Sequence, residues 1–356
     1  SGPNWFRVQS ATTARTVYGG DQGNVMIGSF AQDDTFHGGG GNDEINVRPG
    51  DTAYGDDGDD SFELWRSGNG VVDGGTGTDL LDLGFGWSVD LASGWARDPL
   101  TGAGYSLTSI ENVSVAAWHE YLTTVSGDDN ANDFFVDPDF DDGSVGVVFD
   151  GRGGDDDLRG SAGNDQLVGG SGNDRIDGGA GNDLLTPGTG GNIVDGGDGV
   201  DTLALSGALA SYTVVTLGGE TYLTMAGEGH RVHNVEQVQF ADGAVVDWPS
   251  VAGRTTAFYG LRYIASNPDP IAVLGADAAA GAAHFLAVGV AEGRNPAGFD
   301  PLRYLASNSD LAAALGTVGH LSELRRTRVG NFLEGDAISL DKLDDLMHSE
   351  IGRAHV

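Results

Sequence analysis

An acidic residue or its amide returns every nine residues between Gly151 and Ala204, and this period limits the possible folds more than any other feature. The recurring residues are Asp156, Asp165, Asp174, Asp183, Asn192 and Asp201. An apolar residue follows each of them two places later, from Leu158 to Leu203. A period of nine matches neither an α-helix, with about 3.6 residues per turn, nor an alternating strand. It indicates a repeat architecture whose units stack on one another.

Written in register, the repeat is G-G-x-G-x-D-x-U-x, where U is apolar. Copies run without a gap over residues 151–204. A looser array occupies residues 38–82, where Thr52 and Gly70 stand in place of the aspartate and Tyr54 takes an apolar position. The segments SIENV and NVEQV occupy similar places, each following an array.

This motif resembles known calcium-binding parallel β-helix repeats, and the resemblance implies that two nonapeptides make one turn of a parallel β-roll. The x-U-x part forms a short strand with U inward, and G-G-x-G-x-D turns the corner. The corner needs glycine because its backbone angles are costly for other residues. Corners on one edge are then 18 residues apart in sequence and about 4.8 Å apart in space. Turn carbonyls and paired carboxylates are hard oxygen ligands, which suit calcium better than zinc or magnesium.

The first array is expected to hold calcium mainly along one edge. That edge carries Asp43, Asp60 and Asp79, whereas the other offers only Asp34. In the second array the pair of Asp174 with Asn192 is expected to be the weakest, because an amide carries no charge. The predicted metal-binding residues are Asp34, Asp43, Asp60, Asp79, Asp156, Asp165, Asp174, Asp183, Asn192, Asp201, Gly151, Gly153, Gly160, Gly169, Gly170, Gly172, Gly178 and Gly179.

Electrostatics predicts that folding depends on the ion. Carboxylates stacked ~5 Å apart repel by roughly 1–3 kcal/mol per pair. One apolar residue in nine makes a thin core, which cannot offset that repulsion together with the chain entropy. We therefore expect a roll that is unfolded without calcium and folded with it.

These repeats resemble those of the repeats-in-toxin (RTX) family, over about residues 17–248. The resemblance implies several bound Ca²⁺ ions, export by type I secretion, and a place outside the cell or on its surface. From about Thr255 the composition changes, and GLRYIASNPDPIAVLG (260–275) returns as PLRYLASNSDLAAALG (301–316). These repeats look like helical segments attached to RTX arrays in alphaproteobacterial surface proteins.

The predicted fold is therefore mainly β: two parallel β-rolls with β-segments as extensions or caps, and a C-terminal α-helical repeat domain. Residues 348–356 fit no copy, and their EIGRAHV resembles a translated sequencing adapter, so we interpret them as truncated or non-native. The predicted regions are a degenerate N-terminal repeat region (1–37), the first β-roll (38–82), a β-segment (83–126), a worn repeat and linker (127–150), the second β-roll (151–204), another β-segment (205–250), α-helical repeats (255–347) and this tail.

The net charge of the chain limits the kinds of molecule that it can bind. The formal net charge is -35, which excludes nucleic-acid binding by phosphate neutralisation and disfavours anionic membranes. No stretch is apolar enough to insert into a membrane. Such acidity also fits a disordered chain or a halophilic surface, but the 39% hydrophobic content argues against disorder. The chain has no cysteine and cannot rely on disulfides.

No catalytic constellation stands out. The stretch WHEYLT at 118–123 begins like a zinc-protease motif but ends in Thr123 instead of histidine, and no G-x-S-x-G occurs. His230 and His233 are expected to face opposite sides of a strand as a solvated pair. Five tryptophans could offer a sugar platform, although capping a roll end is the preferred interpretation: Trp65, Trp87, Trp95, Trp118 and Trp248.

The sequence predicts a non-catalytic, secreted calcium-binding protein with a structural or adhesive role. It would act in a surface layer, as an adhesin or in a matrix, with cell-surface polysaccharide or other copies of itself as partners. The first alternative is the C-terminal RTX region of a secreted hydrolase or polysaccharide-modifying enzyme whose catalytic domain lies upstream. The second is a β-helix that acts on polysaccharide by itself.

Overall fold

The structure is a computed structural model that describes residues 4–7, 13–29, 33–65, 68–84, 86–118, 121–217, 220–253, 256–257, 281–282, 284–289 and 294. The chain divides into two compact units, Ser1–Gly298 and Phe299–Val356, and the second lies outside the described residues. The predicted helical repeats at 255–347 fall almost wholly outside them, as does the tail at 348–356.

Short strands dominate the described residues. The strands before residue 151 are β1 (Asn4–Arg7), β2 (Thr16–Gly20), β3 (Asn24–Ile27), β4 (Thr35–Gly40), β5 (Glu44–Val47), β6 (Thr52–Asp57), β7 (Ser61–Leu64), β8 (Gly70–Thr76), β9 (Leu80–Leu83), β10 (Ser88–Asp90), β11 (Trp95–Arg97), β12 (Gly104–Thr108), β13 (Asn112–Ala117), β14 (Thr123–Ser126), β15 (Asp133–Asp141) and β16 (Val147–Asp150). The later strands are β17 (Asp157–Arg159), β18 (Gln166–Ser171), β19 (Arg175–Asp177), β20 (Ala180–Gly181), β21 (Leu184–Asp195), β22 (Asp198–Gly199), β23 (Thr202–Ala204), β24 (Thr213–Leu217), β25 (Glu220–Met225), β26 (Glu228–His233), β27 (Gln237–Gln239), β28 (Val245–Asp247) and β29 (Thr256–Ala257). Among the described residues, the helical ones form α1 (Trp248–Ala252), a 3-10 turn at Leu209–Ser211, short α-helical stretches at 281–282 and 284, and a π-helical turn at Phe285–Gly289.

The strands form two long faces, which we call sheet A and sheet B. Sheet A runs in the order β1, β3, β5, β7, β9, β13, β15, β17, β19, β21, β26, β25, β24, β29. Sheet B runs in the order β2, β4, β6, β8, β12, β11, β10, β14, β16, β18, β21, β23, β27, β28. Most pairings are parallel, and β21 turns the corner and joins both faces. This is the arrangement of a β-roll.

The register confirms that two nonapeptides make one turn. In the second array Asp157 pairs with Arg175, 18 residues on. In the first array Glu44 pairs with Ser61 and Ser61 pairs with Leu80, which are steps of 17 and 19 residues. Successive corners on one edge therefore stack directly on each other.

The core lies between the two faces. The apolar residue of each copy in the second array is fully buried, with 0% exposure from Leu158 to Leu203. Phe134 of sheet A and Phe149 of sheet B meet edge to face, with ring centroids 5.8 Å apart. Trp87, which the sequence suggested as part of a platform or end cap, is 0% exposed and lies inside this core. There it lies beside Tyr105 of strand β12, and the centroids of the two rings are 6.2 Å apart.

The two rolls expected from the sequence are one continuous stack. The first β-segment inserts an antiparallel hairpin, β10 to β12, into sheet B, while β13 alone continues sheet A. β12 pairs in parallel with β8 of the first array, and β14 leads through β16 to β18 of the second. The second β-segment extends the far end and finishes in antiparallel pairs.

Candidate metal centres

Each repeat aspartate stands just before a strand, so the stacking of corners places these residues in rows. Row A precedes the strands of sheet A, and row B precedes those of sheet B. Within a row the backbone N–H of one aspartate donates to Oδ1 of the next: Asp156 to Asp174 at 3.0 Å, and Asp183 to Asp201 at 2.9 Å. Asp60 donates to Asp79 in the same way at 2.8 Å. These bonds hold every carboxylate in one orientation along the row.

The second carboxylate oxygen of these residues is buried without a partner. Within the part of the chain that the structure describes, Oδ2 accepts no hydrogen bond in Asp43, Asp60, Asp79, Asp156, Asp174, Asp183 and Asp201. A buried carboxylate oxygen without a partner is costly and rare, since buried charges are normally paired or coordinate a metal. The same exception recurs at seven equivalent positions, as expected of carboxylates that bind cations.

The first glycine of each copy shows where a cation fits. A Cβ atom built on Gly151 would lie 2.1 Å from Asp156 Oδ2 and 2.7 Å from the carbonyl oxygen of Gly169. On Gly178 it would lie 2.5 Å from Asp183 Oδ2 and 2.4 Å from the carbonyl oxygen of Gly196. A carboxylate and a carbonyl of the next turn thus border one small space. Carboxylate and carbonyl oxygens are hard donors of the kind that calcium prefers, so a hard cation suits this donor set.

Among the described residues, side chains alone do not form a metal site. Across the described ranges, no three carboxylate, thiol or imidazole side chains come together as a metal site would require. A metal held along the rows must therefore take several of its ligands from the backbone, as calcium sites commonly do.

Family comparison agrees with this geometry. Residues 18–51 and 150–185 match the RTX calcium-binding nonapeptide repeat, in four copies. The chain carries RTX calcium-binding nonapeptide repeats. These RTX repeats bind Ca²⁺ at multiple sites, and the repeats themselves are non-catalytic.

Other comparisons add little. Residues 307–354, outside the described part, match the tRNA pseudouridylate synthase B C-terminal domain. A search of curated proteins found no match. The crystal structure of the extracellular lipase LipA from Serratia marcescens is similar at 18% identity and a TM-score of 0.26, covering 67% of this chain and 41% of that one. No helix among the described residues is long and apolar enough to cross a membrane.

Burial makes the RTX rows resist ionisation when no metal is bound. It is the largest cause that raises the pKa of Asp60, Asp156 and Asp183 to about 7, and that of Asp79 and Asp174 to about 6. Repulsion from neighbouring carboxylates of the row adds to this in Asp156 and Asp183. A divalent cation removes both penalties at once, since it supplies the missing opposite charge.

The glycines of the RTX corners have two separate roles. Gly151, Gly160, Gly169 and Gly178 border the spaces described above. Those at the second and fourth positions take left-handed backbone angles, with φ of 108° at Gly170, 142° at Gly172 and 92° at Gly179. A Cβ on Gly172 would lie 1.7 Å from the carbonyl oxygen of Gly154, so the stacked corners leave no room for a side chain. Gly153 instead donates its N–H to the carbonyl of Asp128 at 3.1 Å.

Three predicted ligands are already satisfied by protein groups. Asp34 accepts from the N–H of Arg15 and the hydroxyl of Ser29, both at 3.0 Å. Asp165 accepts from the N–H and the hydroxyl of Ser161, at 2.6 and 2.8 Å. Asn192 donates its amide to the carbonyl of Pro187 at 3.2 Å, which occupies a carbonyl that also faces Asp174. The sequence did not reveal these bonds, because they come from residues that replace repeat glycines or lie outside the repeats.

One acidic residue of row B was missed. Asp51, not Thr52, lies in register with Asp34, whose N–H donates to Asp51 Oδ1 at 2.8 Å. The prediction that Tyr54 points inward is wrong as well, since Ala53 is the fully buried residue. The turn from Asp34 to Asp51 has one residue fewer than the repeat, so keeping the buried face shifts the acid by one place.

His230 also differs from its prediction. It is 0% exposed, whereas His233 is partly exposed, so the two do face opposite sides but are not a solvated pair. His230 lies in register with Asn192 at the end of row A, with its Nδ1 3.3 Å from the Asn192 amide nitrogen. Its Nε2 is 3.5 Å from Glu228 Oε2. It is buried because the second β-segment continues sheet A directly over the last RTX corner.

A second polar ladder runs along the outside of the corners. The N–H of Asn173 donates to Asp155 Oδ1, and the N–H of Asn182 donates to Asn164 Oδ1, both at 2.7 Å. These residues occupy the fifth position of their copies. The signal for this ladder is the asparagine or aspartate that precedes most of the repeat aspartates, at a position where the motif allows any residue.

Proposed function

We propose that this chain is a secreted calcium-binding protein with a structural or adhesive role, whose β-roll folds when it binds extracellular calcium. One observation carries the proposal: seven buried aspartate oxygens without a partner point along the rows where the backbone carbonyls of adjacent corners also converge. The proposed ligands are the seven aspartates that carry this oxygen and the carbonyl groups of the adjacent corners, whereas Asp34, Asp51 and Asp165 are held by protein donors.

The chain's own groups account for the coupling of folding to metal. The row hydrogen bonds hold each carboxylate in place, and burial excludes the water that would otherwise screen its charge. Bound calcium contributes positive charge that offsets the repulsion between carboxylates and their desolvation. Since the corners exist only when stacked, the binding free energy becomes folding free energy.

The calcium affinity expected for such sites indicates that the chain folds outside the cell. Extracellular calcium modules typically bind with a Kd of about 10⁻⁴–10⁻³ M. Calcium inside cells lies far below that range, so the chain would remain unfolded during export and fold outside. The candidate partners are cell-surface polysaccharide or further copies of the same chain, to which the rigid roll would present its flanking segments.

A calcium titration followed by far-UV circular dichroism tests the proposal. We expect a cooperative gain of β signal at high micromolar to millimolar calcium, complete reversal by chelator, and little response to magnesium at the same ionic strength. Magnesium is the matched control because it carries the same charge but demands a smaller, octahedral site. A chain that keeps its β signal in chelator would contradict the coupling of folding to metal.

A further inference from the structure

Two short segments, one after each array, share a structure that is not the nonapeptide repeat. We call Ser109–Val113 and Asn234–Val238 the closing segments. Each begins with a non-glycine residue in the left-handed region, Ser109 with φ 51° and Asn234 with φ 44°. A buried aliphatic residue follows, and each segment then enters a strand that pairs in parallel with the last strand of its array. The same structure arises twice from the sequences SIENV and NVEQV.

A glutamate takes the place of the next aspartate in each row. Glu111 Oε2 accepts the N–H of Asp79 at 2.9 Å, and Glu236 Oε2 accepts the N–H of Asp201 at 2.9 Å. These bonds repeat the contact that Asp79 itself makes with the N–H of Asp60. A glutamate side chain is one methylene longer than an aspartate, which suits a corner with fewer residues between the turn carbonyl and the acid.

The closing segments also supply the backbone carbonyl that, between two repeat corners, comes from the first glycine of the next copy on the same edge. A Cβ on Gly74 would lie 1.9 Å from the carbonyl oxygen of Ser109 and 2.4 Å from Asp79 Oδ2. On Gly196 it would lie 1.9 Å from the carbonyl oxygen of Asn234 and 2.8 Å from Asp201 Oδ2. Both aspartates are 0% exposed, and their Oδ2 atoms have no hydrogen-bond partner among the described residues. Each closing segment thus faces an unsatisfied carboxylate across the same kind of space as a repeat corner.

We propose that each closing segment completes a terminal calcium site, with Asp79 and Glu111 as the acids of one and Asp201 and Glu236 as the acids of the other. The carbonyls of Ser109 and Asn234 supply the backbone ligands. This inference rests on the proposed function, since it assumes that the rows bind calcium. It adds two sites in which one of the two acids, a glutamate, lies outside the repeats.

The charge of the glutamate is the argument for a ligand over a simple hydrogen-bond acceptor. A neutral glutamine would accept the aspartate N–H equally well. The glutamates instead place a second negative charge beside Asp79 and Asp201, which a bound cation would offset. Glu111 lines a cavity of about 320 Å³, and Glu236 lines one of about 430 Å³.

Glu111→Gln and Glu236→Gln test this in the full chain, because they keep the acceptor and remove the charge. Calcium bound per chain is counted by native mass spectrometry and by equilibrium dialysis with calcium alone. Each variant should lose one ion, or bind it at least tenfold more weakly, and the double variant should lose two. The control is Glu63→Gln, which removes an exposed carboxylate from the outward face of β7 and should keep the wild-type number.

The readouts separate a ligand from a structural acceptor. If the glutamine variants keep the wild-type calcium number and midpoint, the inference is wrong and the glutamates only accept hydrogen bonds. If wild type itself binds no calcium, the proposed function fails as well, which the wild-type count shows independently. Should Glu111→Gln not fold, Glu236→Gln tests the same contact at the other end, and a normal calcium count there overturns the inference.

Discussion

The two arrays use the same repeat but satisfy their acids differently. In the second array both rows carry aspartates with an unpartnered oxygen: Asp156 and Asp174 in row A, Asp183 and Asp201 in row B. In the first array only row A does so. Its row B holds Asp34 and Asp51, whose oxygens accept hydrogen bonds from backbone and side-chain donors.

The difference shows that a corner can be closed in two ways. Where protein donors reach the carboxylate, the acid is satisfied without metal, either because the turn departs from the regular spacing, as at Asp51, or because a serine replaces a corner glycine, as at Asp165. Where glycine replaces them, the corner is regular and leaves an oxygen for a cation. The first array should therefore depend on calcium along one edge, and the second along both.

Calcium removal should have the largest effect and should affect the second array more. At free calcium ~100 times Kd, each site contributes about 2.7 kcal/mol, or about 100-fold in the folded population. We expect amide hydrogen exchange in β17 to β19 to rise more on chelation than in β4 and β6, with the steepest calcium dependence in the second array. Hydrogen exchange with mass spectrometry on the full chain measures this. Equal increases in both arrays would remove the distinction drawn above.

Single acids should show opposite behaviour in the two kinds of corner. Asp183→Asn should raise the calcium midpoint about tenfold, because a ligand charge is lost. In chelator it should leave stability unchanged or improve it, since a buried charge disappears. Asp51→Asn should cost about 1–3 kcal/mol with or without calcium, because it removes an acceptor for the N–H of Asp34 or Arg48.

Urea unfolding measures both variants in calcium, and in chelator at pH 6, where the protonated acids stabilise the metal-free fold. Asp155→Asn is the matched control, because it changes an exposed acid of the outer ladder to the residue that three other copies carry at that position. A loss for Asp183→Asn that is the same in chelator and in calcium would show that Asp183 is held as Asp51 is.

Without calcium the fold should lose stability as the pH rises, and with calcium it should lose stability as the pH falls. Asp60, Asp156 and Asp183 have pKa values of about 7 in the fold, against an ordinary 3.8. The metal-free fold therefore holds their protons, has its full stability below about pH 4 and loses it as the pH rises through about 7. Calcium needs the ionised acids, so its midpoint should rise as the pH falls from 8 to 6, by up to about tenfold per unit for each proton displaced.

Circular dichroism in chelator from pH 4 to pH 8, and calcium titrations at several pH values, measure the two trends. Asp183→Asn should flatten both, because it removes one raised carboxyl. Titrations whose midpoint does not move with pH would mean that protons and calcium do not compete for these acids.

The sequence predicted those features of the fold that the nine-residue period determines. The 18-residue register, the inward position of residues such as Leu167 and the rows themselves follow from stacking identical units. It did not predict Asp51. The turn before Asp51 is one residue shorter than the repeat. Ala53 therefore keeps its place on the buried face, and the acid lies one place before its motif position. Glu111 and Glu236 were missed because they close a row from a different backbone geometry. Ser161 was missed because its donation to Asp165 becomes visible only when the corner is folded.

Ser161→Gly should have the smallest effect and should make one corner change type. Ser161 holds Asp165 through its hydroxyl as well as its N–H, and glycine keeps only the N–H. In chelator we expect a loss of about 1 kcal/mol, the usual net contribution of one hydrogen bond. In calcium part of that loss should return, because Asp165 regains capacity for a cation beside the carbonyl of Gly178. Urea midpoints measure the difference, with Ser171→Gly, an exposed serine of the neighbouring corner, as the control. A loss that calcium does not reduce would show that the regular glycine corner does not by itself create a site.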